Sequence, residues 1–284
     1  MRDVLISFMG PMFVSALYMR MFPHNRRAGG LICACACTAV FMDVMSAAAE
    51  TTRRLTGGIA EVIEALLPLL TGLTAMAGAT ASASLITPMA TLAGEIILNI
   101  IGDIGTALAC AAGACACACA IGSELKIDGI FVHLKKLIQT GAGLAVAIFA
   151  GILKVQGMLG ASFDSVAVKT TRFAVDKIVP VVGGGISDTM DAAISSIMLI
   201  NSAAGVTGMI LIISLCALPI IRIAAVLVAL RVARAIAQPV ADGGIMDAAD
   251  RFGDVIRLMV VLCVTAVTIS LVLIGAAIGA GKSI

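Results

Sequence analysis

The stretch AGGLICACACTAVFMDVMSAAA, Ala28 to Ala49, decides the solvent in which this chain folds. It has about the 20 apolar residues that a helix needs to cross roughly 30 Å of hydrocarbon, with Asp43 inside it and Arg27 and Glu50 at its ends. Around it the 284 residues are 61% hydrophobic and 13% charged, with a mean hydropathy of +1.12. Soluble domains carry roughly twice that charged fraction, which excludes an ordinary soluble enzyme and a disordered chain. A net charge of +2, with no basic block interleaved with aromatics, excludes a nucleic-acid-binding module. Twenty-nine glycines and seven prolines in apolar surroundings suit closely packed, locally broken helices, not a transmembrane barrel. With no Trp and a single Tyr, Tyr18, there is no aromatic belt, so interfacial Arg and Lys must anchor the helices. The fold class is all-α: one polytopic helical membrane domain over residues 1–284, lying in a lipid bilayer.

Upstream, Val4 to Met19 is short for a span, contains Pro11 and precedes Arg20, Arg26 and Arg27; no AxA-type site follows it, so a retained interfacial segment is expected. Downstream, Thr51 to Glu64 mixes Arg53, Arg54, Glu61 and Glu64 with Ile59 and Ile63 at helical spacing, which predicts an amphipathic interfacial helix that turns inward near Ala65. Ser84 to Gly122 is too long for one span, and its break is expected near IGDIG, at Gly102 to Gly105. A second surface helix is expected over Ser123 to Thr140, with Lys126, His133, Lys135 and Lys136 beside Ile130, Leu134 and Leu137. The charged, apolar tract Gly160 to Asn201 predicts a re-entrant or interfacial turn at Pro180 to Gly185. Ala203 to Ala237 exceeds one ordinary span, and Val255 to Gly281 is a clean one. Candidate helix breaks are Pro68, Pro88, Pro180, Gly183, Gly184 and Pro219.

Two regions echo each other. TTR at Thr51 to Arg53 precedes IEALLPLLTG, and TTR at Thr170 to Arg172 precedes VDKIVPVVGG. The pattern leaves both an internal duplication and a chance likeness open; a duplication would give half-repeats 28–124 and 141–284 with broken helices facing each other.

Chemistry should sit where charge interrupts apolar runs: Asp43, Glu95, Asp103, Lys154 and Arg222. Ionised groups at membrane depth are costly, so these need water or a partner, and Glu95 or Asp103 with Arg222 is the most economical pairing. Such groups make either a polar pathway or structural ion pairs that fix helix register. The Cys33/Cys35/Cys37 and Cys115/Cys117/Cys119 alternations lack metal-ligand spacing and read as small packing residues. No nucleophile, base, metal or cofactor site emerges, and neither the Gly183 to Gly185 run nor the terminal GAGKS has a phosphate-loop context. Gly275 and Gly279 form a GxxxG helix-association signal.

KVQG at Lys154 to Gly157, KTTRFAVDKIVPVVGGGISDTMDAAISS at Lys169 to Ser196 and ALPIIRIAA at Ala217 to Ala225 resemble the stage III sporulation protein AE family, as do IEALLPLLTGL and AIAQPVADG. The resemblance implies a non-enzymatic, multi-pass component of the mother-cell membrane around the forespore. It would act with sibling proteins of the same operon and a forespore partner in a channel or secretion-like complex needed for late forespore development. A stand-alone secondary transporter or permease is the competing function.

Overall fold

Long runs of Ala, Leu, Ile and Met leave their backbone groups no partner in hydrocarbon except one another, and a helix satisfies them within the segment. The computed structural model of the protein describes residue 10 and residues 26–77, 80–121, 128–178, 183–238 and 243–280. Its elements are α1 (Arg26–Met76), α2 (Thr80–Asn99), a π-helical turn (Ile100–Gly105), α3 (Thr106–Ile121), α4 (Asp128–Ile178), α5 (Gly183–Ala237) and α6 (Gly243–Ala280). Among the described residues five helical stretches are long and apolar enough to cross a membrane: Ala34–Met76, Leu92–Ile121, Gly129–Val155, Ala193–Ile236 and Met246–Gly279.

Several expected breaks are absent. The stretch Thr51 to Glu64 is the middle of α1, a single helix of 51 residues and so about 76 Å long, not a separate surface helix. Its apolar side explains the continuity. Phe41, Met45, Ala48, Thr52, Leu55, Ile59, Ile63, Leu67 and Leu70 are all buried and recur every three or four residues, so one uninterrupted face packs inward. Pro68 and Pro219 lie within α1 and α5, and Pro88 lies within α2, so none of the three ends its helix. Likewise Ser123 to Thr140 is not a free-standing element: its described part opens α4 and continues to Ile178. At IGDIG the helix does not stop but widens into the π-turn between α2 and α3. Gly183 and Gly184 open α5, while Pro180 and Val4 to Met19 lie outside the described residues.

The chain divides into two compact units, each drawing segments from several helices. Unit 1 comprises residues 1–56, 100–143 and 216–264. Its core is built around Phe252, Val255, Ile256, Leu258, Met259 and Leu262 of α6. Phe41 of α1 stacks on Phe252 with ring centroids 4.0 Å apart. Small residues on α3 let α1 come close: Ala109, Ala112 and Ala116 are fully buried, and a Cβ on Gly113 would collide with Met45. Ion pairs tie this unit's outer parts, Lys135 of α4 to Asp254 of α6 at 2.5 Å and Arg234 of α5 to Asp250 of α6 at 2.7 Å.

Unit 2 comprises residues 57–99, 144–215 and 265–284. Here the core side of α6 is Ala266, Ile269, Leu273, Ile274 and Ala277. α5 meets this core through a narrow strip, Asn201, Gly205, Gly208 and Ile212. A Cβ on Gly205 would strike Ile278, and one on Gly208 would come 2.6 Å from Leu66. Gly275 of the GxxxG signal stands in ordinary contact range of Met209, and the space beside Gly279 is open.

Candidate functional site

Within unit 1 the π-turn gathers a polar cluster in otherwise apolar surroundings. A π-helical turn carries one residue more than the α-helix around it and loosens the local carbonyl pattern, and such turns recur at functional sites. Here Gly102 and Gly105 permit it: a Cβ on Gly102 would stand 2.6 Å from Thr56 Oγ1 of α1, and one on Gly105 would be 2.9 Å from Leu262 of α6. The Thr106 hydroxyl turns back to donate to the Gly102 carbonyl, with the Asp103 carbonyl a second acceptor at 3.2 Å. Across the helix pair, Arg53 Nε donates to Thr106 Oγ1 at 3.2 Å. A guanidinium has five N–H donors, and this contact uses one of them.

The neighbouring threonines bond back to carbonyls of their own helix, mid-way along it. Thr52 Oγ1 donates to the Ala48 carbonyl at 2.9 Å, and Thr56 Oγ1 to the Arg53 carbonyl at 2.9 Å. The Cys263 thiol of α6 lies 3.5 Å from Thr52 Oγ1, and Met259 Sδ stands 4.0 Å from the same oxygen. Thr52 and Thr106 are fully buried, whereas Arg53 and Asp103 face outward beside them. The result is a threonine-lined seam with an arginine and an aspartate at its open edge. Such an arrangement can hold charge and hydrogen-bonding groups at depth; it has no nucleophile paired with a base.

A second buried polar contact lies in unit 2. Asn201 of α5 is 2% exposed, and its Nδ2 donates to Thr74 Oγ1 of α1 at 3.2 Å. Thr74 in turn donates to the Leu70 carbonyl at 2.7 Å. The Asn201 carbonyl oxygen is buried without a hydrogen-bond partner among the described residues.

The five charged residues singled out in the sequence share one property. Asp43 on α1, Glu95 on α2, Asp103 in the π-turn, Lys154 on α4 and Arg222 on α5 are all exposed, and no ion pair joins Arg222 to Glu95 or Asp103 among the described residues. Asp103 sits within the clustered geometry; the other four stand outside it. Arg53, Thr56 and Thr106 were missed as a group, since only folding brings position 53 to position 106. The glycine spacing of IGDIG and the TTR triplet were the available signals. Among the described residues no group of three or more His, Cys, Asp or Glu side chains could hold a metal ion.

Long apolar helices and a core of small and aliphatic residues make this an all-helical protein with several stretches long and apolar enough to cross a membrane. The Stage III sporulation protein AE family model matches residues 25–281, and the chain belongs to that family. It is 26% identical over 192 residues to the Stage III sporulation protein AE of Bacillus subtilis (strain 168), a match covering 66% of this chain and 47% of the relative. The chain thus spans about half the length of the curated relative it matches. No solved structure matches it. Family membership supports a non-enzymatic role.

Proposed function

We propose that the chain is a non-enzymatic membrane component of a sporulation-stage assembly. It would act in the mother-cell membrane around the forespore, beside sibling proteins of its operon and a forespore partner, in a channel or secretion-like complex. The observation that carries this reading is the outer face of α1. In unit 1 Asp43, Ala47, Glu50 and Arg54 follow one another at four- and three-residue steps and are all exposed, and in unit 2 Glu61 and Glu64 are exposed too. One ion pair, Arg54 with Glu50 at 2.7 Å, relieves part of this charge. Acidic groups left bare on a membrane helix require water or protein against them. Neighbouring chains that enclose an aqueous or polar path would meet that need. The exposed Glu95, Asp103, Lys154 and Arg222 fit the same role as contact or pathway groups. An internal duplication with halves 28–124 and 141–284 is compatible with it, its support being the TTR echo.

Deletion of the gene, scored for the stage at which sporulation arrests, tests the process; normal spores would overturn the reading. Crosslinking during engulfment should then co-purify the sibling proteins, and Arg53→Gln should lower their recovery severalfold by freeing Thr106 and exposing the seam. Solute uptake by the purified chain alone in liposomes would favour a stand-alone transporter instead.

A further inference from the structure

The first turns of α4, in unit 1, carry a groove that the sporulation reading does not use. Ile130, Leu134 and Leu137 recur at four- and three-residue steps and share a helix face, while His133, Lys136 and Thr140 follow one another along its edge. With Gly129 these residues line an open groove of about 900 Å³. Ile130 and Leu137 are each 57% exposed, so the groove floor is bare hydrocarbon. Lys135 is engaged by Asp254, but neither His133 nor Lys136 makes an ion pair or hydrogen bond among the described residues.

An apolar floor with a basic rim suits a molecule that has an acyl tail and an anionic head. Two further observations select a lipid over a soluble anion or a partner helix. The groove lies on a stretch, Gly129–Val155, that is long and apolar enough to cross the bilayer, so acyl chains are its natural neighbours. Most of the chain's Lys and Arg also fall in unit 1, where Arg222, Arg231 and Arg257 are exposed, and such bias accompanies the anionic cytoplasmic leaflet. We propose that this groove binds one anionic phospholipid. Its phosphate lies against the Lys136 ammonium and the His133 imidazole, within reach of the Thr140 hydroxyl, and its acyl chains follow Ile130, Leu134 and Leu137.

Native mass spectrometry of the full chain, delipidated in detergent and offered phosphatidylglycerol or phosphatidylcholine, tests the proposal. Phosphatidylglycerol should be retained about fivefold over phosphatidylcholine, the preference that one well-placed cation supplies at a membrane surface. Combining His133→Gln with Lys136→Gln should abolish that preference, Lys136→Arg alone should keep it, and Arg257→Gln should leave it unchanged. Equal retention of the two lipids by the wild-type chain, an undiminished preference in the double variant or an equal loss in Arg257→Gln would each overturn it. So would displacement of the lipid by chain-free glycerophosphoglycerol at equal concentration, which would make the ligand a soluble anion. Both substituted side chains are at the surface, and an unchanged far-UV circular dichroism spectrum separates loss of the site from loss of the fold.

Discussion

Over an apolar 18-residue segment of each, helices α5 and α6 have nearly the same hydropathy, yet 56% of that segment is buried in α6 and only 17% in α5. α6 presents Phe252, Ile256, Met259, Cys263, Ala266, Ile269 and Leu273 inward, in both units, at the alternating spacing of a packed helix. α5 offers the strip from Asn201 through Gly205 and Gly208 to Ile212, with Cys216 continuing it in unit 1, and leaves Leu199, Ile210, Leu218 and Ile221 bare. In water the second arrangement would be intolerable. In lipid an exposed isoleucine costs little, because acyl chains solvate it as well as another side chain does, so packing quality separates the two helices and hydrophobicity does not.

The sharpest way to break this contrast is a pair of truncations in unit 2. Ile269→Ala on α6 removes a side chain with no exposure and should cost about 3 kcal/mol. Ile210→Ala on α5, where 59% of the residue is exposed, should cost under about 1 kcal/mol. Unfolding of the two variants in the same detergent would measure the gap; equal losses would contradict the assigned burial.

A smaller effect should come from the strip that α5 does bury. Gly205→Leu drives a branched side chain into Ile278 and should destabilise by about 2 kcal/mol, whereas Gly151→Ala on α4, with nothing within 4 Å of the new methyl, should stay within about 1 kcal/mol of wild type. Thermal melts of both variants, monitored by circular dichroism, would show the difference.

The least change is expected at Asn201. Asn201→Leu loses one interhelical hydrogen bond, worth about 0.6 kcal/mol in membrane proteins, but also removes a buried carbonyl that has no partner among the described residues. Thr74 keeps its bond to the Leu70 carbonyl in either case. The substitution should therefore be neutral or stabilising by up to about 1 kcal/mol, while Asn201→Ala, which leaves a void, should be destabilising. A marked loss of stability in Asn201→Leu, read in the same melts, would mean that the Asn201 carbonyl has a donor in the working protein.

Membrane class and helix content were legible from Ala28 to Ala49 and the runs like it, because burying a backbone in hydrocarbon leaves a helix as the economical solution. The family was legible in KTTRF and VPVVGG, which lie inside the matched region. Helix ends were not. Pro68, Pro88 and Pro219 each remove one backbone donor, yet α1, α2 and α5 run on through them, with buried Leu67 and Leu70 beside Pro68 and buried Cys216 and Ile223 around Pro219. At IGDIG the local signal was sound in place and misleading in kind, since glycine permits either a turn or a π-bulge and the close approach of Thr56 and Leu262 accompanies the bulge.

By itself, then, the sequence determined the solvent, the helical class and the family, all of which follow from local composition and pattern. Tertiary structure alone decided that α6 is buried and α5 is bare, that Arg53 reaches Thr106, and that a charged line remains uncovered on α1. Those outcomes depend on which faces meet across distant segments, and in a chain this uniformly apolar, hydrophobicity cannot choose between faces; shape and the few polar groups must.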